Sequence, residues 1–162
     1  MRRNGWSKIC CAIDFSDGAR AALDQAIALA RHNDAELVLL HIFQPPVTTL
    51  MAEPMFSSPN VMVELERDLA AELERWRTRA QDAGVARASS EVVIAGSIHH
   101  GITDFASQHG CDAIVIGTHG RGGLSRLLLG SVAEHVVRHA GVPVVVVRPQ
   151  AAAAAAASPQ GT

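Results

Sequence analysis

The 162-residue chain has no long basic run, and its formal net charge is only −2. It therefore lacks the electrostatic footprint expected for binding nucleic acid or an anionic membrane. It has three cysteines, two of them adjacent at Cys10 and Cys11, which supply neither a disulfide framework nor a zinc ligand set. No apolar stretch approaches the length needed to span a bilayer. The short apolar run after the basic start meets Asp14, unlike the core of a secretory signal, so the cytoplasm is the expected compartment. Familiar catalytic spellings are missing as well. There is no Gly-x-Ser-x-Gly nucleophile elbow, no HExxH helix, and no carboxylate between Gly117 and Ser131 to position a water.

What is present is the composition of a globular domain, 48% hydrophobic and 19% charged. One domain is expected over residues 1–149, long enough to bury about two-thirds of its unfolded surface. Lys8 to Ile13 reads as a first apolar strand, with Cys10 and Cys11 as core residues, and Ser16 caps a helix with Ala19, Ala22, Leu23, Ala26, Ile27 and Ala30 on one face. Glu36 to Phe43 is a second strand whose unbroken apolar run suits a parallel sheet covered on both faces. Residues 44–60 carry four prolines and two methionines, a stretch that reads as a mobile lid, a partner-facing loop or a poorly ordered insertion. A long helix follows with Val61, Leu65, Leu69, Leu73, Trp76 and Ala80 inward, closed by Gly84. Glu91 to Ala95 is the third strand, and a short helix then turns Ile98, Ile102, Phe105 and Ala106 inward and ends at Gly110. Cys111 to Ile116 is the fourth strand, and Val142 to Val147, after the last helix, is the fifth. The alanine-rich residues 150–162 read as a disordered tail, too short in alanine to hold a helix in water. Strands alternating with helices indicate an α/β domain with a parallel sheet.

The centre of the pattern is the stretch from Ile114 to Ala140. The apolar strand ends at Gly117, a glycine-rich loop follows, and Gly130-Ser131 opens a helix in which Ser131 and Glu134 have capping-box spacing. Glycines allow close backbone approach, and a helix start offers unpaired N–H groups and a positive dipole end. Together these form a cradle for phosphates. A Walker loop is excluded because Gly123-Leu124 stands where Lys and Ser/Thr are needed, and a G-x-G-x-x-G fingerprint because Ser125 takes the third glycine's place.

The pattern present, Gly117-x2-Gly120-x9-Gly130-Ser131, resembles the nucleotide-binding signature of the universal stress protein family in its ATP-binding branch. The resemblance runs from about Lys8 to Pro149, and Leu39-Leu40-His41-Ile42 is similar to the family's LLHV. It implies a Rossmann-like α/β fold, a five-stranded parallel sheet in the order 3-2-1-4-5 with helices on both faces. The switch point then lies between strands 1 and 4, with Asp14 and Gly117 facing across it. It further implies that Asp14 reaches the ribose, that backbone groups of Ala12, Ile13, His41 and Ile42 line the adenine pocket, and that Gly117, His119, Gly120, Arg121, Gly130, Ser131 and Val132 contact the phosphates. The Arg121 fork could neutralise phosphate oxygens. ATP is the implied ligand, with Mg²⁺ held by phosphate and water rather than by protein side chains. The chain departs from the family at Ile13, where many members carry threonine or another small residue, and at Ile98-His99-His100, where proline with acidic or small residues is more common.

His135 and His139 have the spacing of two ligands on one helix face, but no third ligand is evident, and both they and His99-His100 read as structural or surface residues. The expected role is a nucleotide-dependent regulatory or stress-response protein without catalytic residues. The alternatives are a slow ATP hydrolase, although the first turn Asp14-Phe15-Ser16-Asp17-Gly18 lacks the HIGH or SGGxDS signatures of such relatives, and a partner-binding module without nucleotide. The last strand, with Val144, Val145, Val146 and Val147, would lie at the sheet edge in the implied order and pair with its own copy in a homodimer. No specific protein partner can be named.

Overall fold

The computed structural model describes residues 5–45, 59–118 and 129–149 of the chain. Its elements run β1 (Lys8–Ala12), α1 (Asp17–Asn33), β2 (Glu36–Phe43), α2 (Pro59–Asp82), β3 (Ala88–Ile94), α3 (Ile98–Gln108), β4 (Ala113–Gly117), α4 (Ser131–His139) and β5 (Val144–Val147). The strands form one five-stranded sheet in the order β3-β2-β1-β4-β5, and every pairing is parallel. This is the expected Rossmann-like arrangement. The central strand sets the register, with Ile9 opposite Leu37 on one side and Ala113 on the other.

Alternate side chains of the sheet feed two separate cores. On one face Ile9, Cys11, Leu37 and Leu39 pack with Ala22, Leu23 and Ala26 of α1 and Leu73, Trp76 and Ala80 of α2. On the other, Cys10, Val38, Leu40 and Ile114 pack with Ile102, Phe105 and Ala106 of α3 and Ala133 and Val136 of α4. The two adjacent cysteines thus point to opposite faces, which is the period-2 geometry of a strand. Both are fully buried, and burial alone pushes the Cys11 thiol far above its ordinary value, as expected for an inert core thiol.

Local signals set the element ends. Ser16 Oγ accepts the Ala19 N–H at 3.1 Å and caps α1. Gly84 and Gly110 leave α2 and α3 at φ 95° and 63°, a left-handed conformation that glycine adopts without a Cβ penalty.

Four expectations about these elements need correction. β3 begins at Ala88, not Glu91. Among the described residues it is a sheet edge paired only with β2, so its side chains stay partly exposed and Ser89 and Ser90 fit where a central strand needs apolar residues. β4 begins at Ala113 rather than Cys111, because Asp112 turns its carboxylate onto the Ser7 and Lys8 amides at 2.6 and 3.0 Å. β5 begins at Val144 rather than Val142, since Pro143 has no N–H for the ladder, though its carbonyl still accepts from Ile114 at 3.0 Å. In α2 only the C-terminal half is packed. Leu73 and Ala80 are buried, whereas Val61 and Leu65 are 38% and 36% exposed. At 24 residues the helix runs about 36 Å, while β3, which it covers, has 7 residues and spans about 23 Å. Residues 46–58 of the proline-rich connection and the alanine-rich tail from 150 lie outside the described residues.

Asp112 clamps the start of β1 to the start of β4 through two charge-assisted bonds, so Asp112→Ala should destabilise the fold by about 1–3 kcal/mol. Chemical denaturation checks this; an unchanged midpoint would show that the clamp carries no stability.

Candidate functional site at the carboxyl edge of the sheet

β1 and β4 are neighbours in the sheet, but the chain leaves them toward opposite faces. α1 follows β1 on one side, and α4 follows β4 on the other. The divergence opens a crevice beyond their carboxyl ends, the position where open α/β sheets take ligands. A cleft of about 690 Å³ lies there, within the range of small-molecule sites.

Three strand ends and the start of α4 make much of its wall. From β1 come Ala12, Ile13 and Asp14, from β2 Leu40, His41 and Ile42, from β4 Ile116, Gly117 and Thr118, and from α4 Gly130, Ser131, Val132 and Ala133. The β1 and β2 ends are tied by the Ile13 amide donating to the Leu40 carbonyl at 2.8 Å and by His41 Nδ1 donating to the Ile13 carbonyl at 2.7 Å. That bond places the imidazole proton on Nδ1. The Asp14 carboxylate accepts from the Ser16 amide at 3.0 Å and from Ser16 Oγ at 2.5 Å, which fixes it at the mouth of the turn.

Phe15 holds this turn at φ 63°, a left-handed conformation that an aromatic residue rarely adopts. Its ring packs 4.7 Å from His41 and 5.7 Å from Trp76, and the Arg20 guanidinium sits 5.6 Å over Trp76. Aromatic packing of this kind is worth about 0.5–1.5 kcal/mol per pair beyond area burial, enough to offset local backbone strain on the order of 1–3 kcal/mol.

On the opposite wall, the Thr118 amide donates to the Val147 carbonyl at 2.9 Å and the Gly130 amide to the Thr118 carbonyl at 2.6 Å. The end of β4 and the start of α4 are thereby brought together. Gly130 is the N-cap residue, at φ −61° and ψ 150°, and, having no side chain, makes no side-chain cap hydrogen bond. The capping box expected at Ser131 and Glu134 does not form, because Ser131 is already the first helical residue and the Glu134 carboxylate is drawn to Arg138 at 2.8 Å. The first amides of α4 have no acceptor within their own helix, and Ser131, Val132 and Ala133 border the cleft.

Of the residues singled out in the sequence, Ala12, Ile13, Asp14, His41, Ile42, Gly117, Gly130, Ser131 and Val132 all line this one cleft. His119, Gly120 and Arg121 lie outside the described residues. Sequence reasoning missed Thr118, which is buried, and the apolar wall formed by Leu65 and Leu69 of α2 with Ile98 and Ile102 of α3. The signal for Ile98 was its place just after β3, on the same carboxyl edge. For Leu65 and Leu69 it was an apolar stripe that outran the strand beneath it. Among the described residues no three histidine, cysteine or acidic side chains are grouped to hold a metal ion, and no helix is long and apolar enough to cross a membrane.

Residues 5–148 match the sequence model of the Universal stress protein family. Universal stress protein MJ0531 of Methanocaldococcus jannaschii is 35% identical over 150 residues, covering 90% of this chain and 86% of the relative. The solved structure of MJ0577, a universal stress protein of the same organism, matches with a TM-score of 0.76 at 28% identity over 90% of this chain and 98% of that one. A universal stress protein from Archaeoglobus fulgidus, solved in complex with dAMP, shares the fold with a TM-score of 0.61 at 22% identity, over 87% of this chain and 96% of that one.

Gly117 has a structural role of its own in this wall. A Cβ there would stand 2.8 Å from the Gly18 carbonyl carbon and oxygen and 3.3 Å from the Ala19 nitrogen, closer than backbone atoms tolerate. Gly117→Ala should therefore cost about 1–3 kcal/mol of stability, the usual range for overpacking. A urea midpoint equal to the parent's would mean that β4 and α1 do not approach so closely.

Proposed function

The chain belongs to the universal stress protein family, and from that premise we propose that it is an ATP-binding member acting as a nucleotide-dependent regulatory or stress-response protein. The observation that carries the reading is a convergence. The cleft at the sheet's switch point is bordered at once by Asp14, by the backbone of β2's end, and by the start of α4, whose N-cap is a glycine. An adenine fits the apolar side near Ile13 and Ile42, the ribose hydroxyls fall to Asp14, and the phosphates take the α4 amides. A helix start binds phosphate through aligned N–H groups and the dipole's positive end. His119, Gly120 and Arg121 extend the phosphate contacts in this proposal, with Arg121 supplying positive charge. Mg²⁺ would bridge phosphate oxygens and water, as it commonly does. The dAMP complex of the Archaeoglobus relative is in keeping with an adenine nucleotide on this fold.

The groups around the cleft bind rather than catalyse. Asp14 is the one carboxylate among its described lining residues, and it is held by Ser16 at the β1 end, across the crevice from the α4 start. A regulator that is read by its bound state needs no general base at the terminal phosphate, and any hydrolysis would be slow.

Gly130→Glu is the direct test of the phosphate site. It fills the approach to the first α4 amides and adds a negative charge beside the phosphates, while costing the helix little, since its start tolerates Glu. Calorimetry should show ATP affinity falling at least a hundredfold with the fold intact. Binding like the parent's would remove the phosphates from α4.

The protein further assembles, in this proposal, as a homodimer through β5. Among the described residues that strand pairs only with β4, and its four valines are half-buried, an uncharged apolar edge of the kind that invites a further strand. A two-fold axis beside it would set two copies of β5 antiparallel and pair those groups. Val146→Lys puts like charges across the axis and should shift the protein to monomer in micromolar sedimentation. A parent monomer, or a variant dimer of equal strength, would exclude this interface.

A further inference from the structure

Four histidines gather where α3 meets α4, and nucleotide binding uses none of them. His99 and His100 lie in the first turn of α3, and His135 and His139 lie one turn apart on α4. The His99 ring centroid is 4.3 Å from that of His100 and 4.5 Å from that of His135, on which it stacks at 28°. The His139 ring follows at 6.1 Å from His135 and nearly parallel to it, at 13°. His135 Nδ1 donates to the Ser131 carbonyl at 2.7 Å and His139 Nδ1 to the His135 carbonyl at 2.8 Å, so in both rings Nε2 is the site that takes up a proton. His99 Nδ1 lies 3.2 Å from Ser97 Oγ. Stacked rings do not converge on a point, in keeping with the absence of a metal-holding group among the described residues.

Each of the two helices carries one carboxylate. On α4, Glu134 is engaged by Arg138. On α3, Asp104, four residues beyond His100, borders a small crevice together with His139. Burial first, and then His100, His135 and His139, hold the His99 imidazole below the ordinary histidine value. Its position at a helix start, the positive end of the dipole, acts in the same direction. The folded protein therefore binds fewer protons here than the unfolded chain. The stabilisation is complete above the unfolded value of about 6.5 and is lost as pH falls below it toward the folded value.

The same two helix starts carry part of the cleft wall, with Ile98 and Ile102 on α3 and Ser131, Val132 and Ala133 on α4. We propose that the four-imidazole cluster is a proton-sensitive latch on the α3–α4 seam, and that its loading with protons below neutral pH parts the two helix starts that border the cleft. Neutral rings stack, whereas two imidazolium ions with ring centroids 4.5 Å apart repel, an effect that the exposure of His100, His135 and His139 to solvent moderates. The latch acts on the fold itself and does not depend on which ligand the cleft takes.

Hydrogen exchange on the ligand-free protein at pH 7.5 and 5.5, corrected for the intrinsic rate, reads the seam directly. Opening of α3 and the first turns of α4 should rise roughly tenfold at pH 5.5 while β1 and β2 stay protected. The rise should vanish in His99→Gln/His135→Gln. EDTA at pH 7.5 should change nothing; opening caused by EDTA would make the cluster a metal site and overturn the latch. Should the double variant fail to fold, proton NMR titration of the parent's histidine rings gives a second reading. His99 should titrate below the free-histidine value and move up in His100→Gln. Seam opening that ignores pH, a rise retained in the folded double variant, or a His99 that titrates normally would each overturn the proposal.

Discussion

The end of β4 lies against the first turn of α1 with no room for a side chain between them. A Cβ on Gly117 would fall within 2.8 Å of the Gly18 backbone, so two backbones meet where most folds interpose side chains. That approach lets α1 cross directly over β1 and β4, and it brings Asp14 at the end of one strand opposite the α4 start that follows the other. The remaining walls depend on it. Ile13 is tied to β2 through Leu40 and His41, and Thr118 is tied to β5 and to Gly130. The cleft is thus an outcome of main-chain geometry first, and side chains tune it.

Two apolar cores support that geometry, one per sheet face, and at the carboxyl edge they end in residues that line the cleft, Ile13 from one and Ile42 and Ile116 from the other. There the chain accepts local strain and exposed apolar surface. Phe15 sits in a left-handed conformation, secured by His41 and Trp76, and the first turns of α2 run past the strands with Val61 and Val63 exposed. A cleft bordered by a helix start, a fixed carboxylate and an apolar wall is what the proposed ligand, a flat base with anionic groups at its far end, would call for. Among its described lining residues Asp14 is the one carboxylate, and Ser16 holds it. That is the physical basis for reading the protein as a binder whose state is sensed by others.

Much of the fold was legible in the sequence because buried parallel strands write themselves as unbroken apolar runs, as β1 and β2 do. The strand order was not in the periodicity at all. It came from the resemblance carried by Gly117, Gly120, Gly130 and Ser131, and the sheet bears it out. The edge strand β3 was read short because Ser89 and Ser90 do not look like a strand until the position at the edge is known. In the candidate site, residues beside a glycine or at a strand end were found, since the local pattern marks them. Asp112, Thr118, Ile98 and Leu69 were missed because their roles depend on partners far along the chain. Ser131 and Glu134 had the right spacing for a capping box, yet Gly130 occupies the cap and Arg138 takes the glutamate. Likewise, His99 and His135 seemed to be unrelated surface residues until α3 and α4 were laid side by side.

The central claim is that the cleft between the β1 and β4 ends holds an adenine nucleotide with its phosphates on the start of α4. A crystal structure of the protein grown with ATP and magnesium tests it most directly. The account predicts density for the base beside Ile13 and Ile42, the ribose at Asp14, and phosphate oxygens within hydrogen-bond reach of the Ser131 and Val132 amides. An empty cleft at saturating ATP, or a nucleotide bound elsewhere on the molecule, would contradict it.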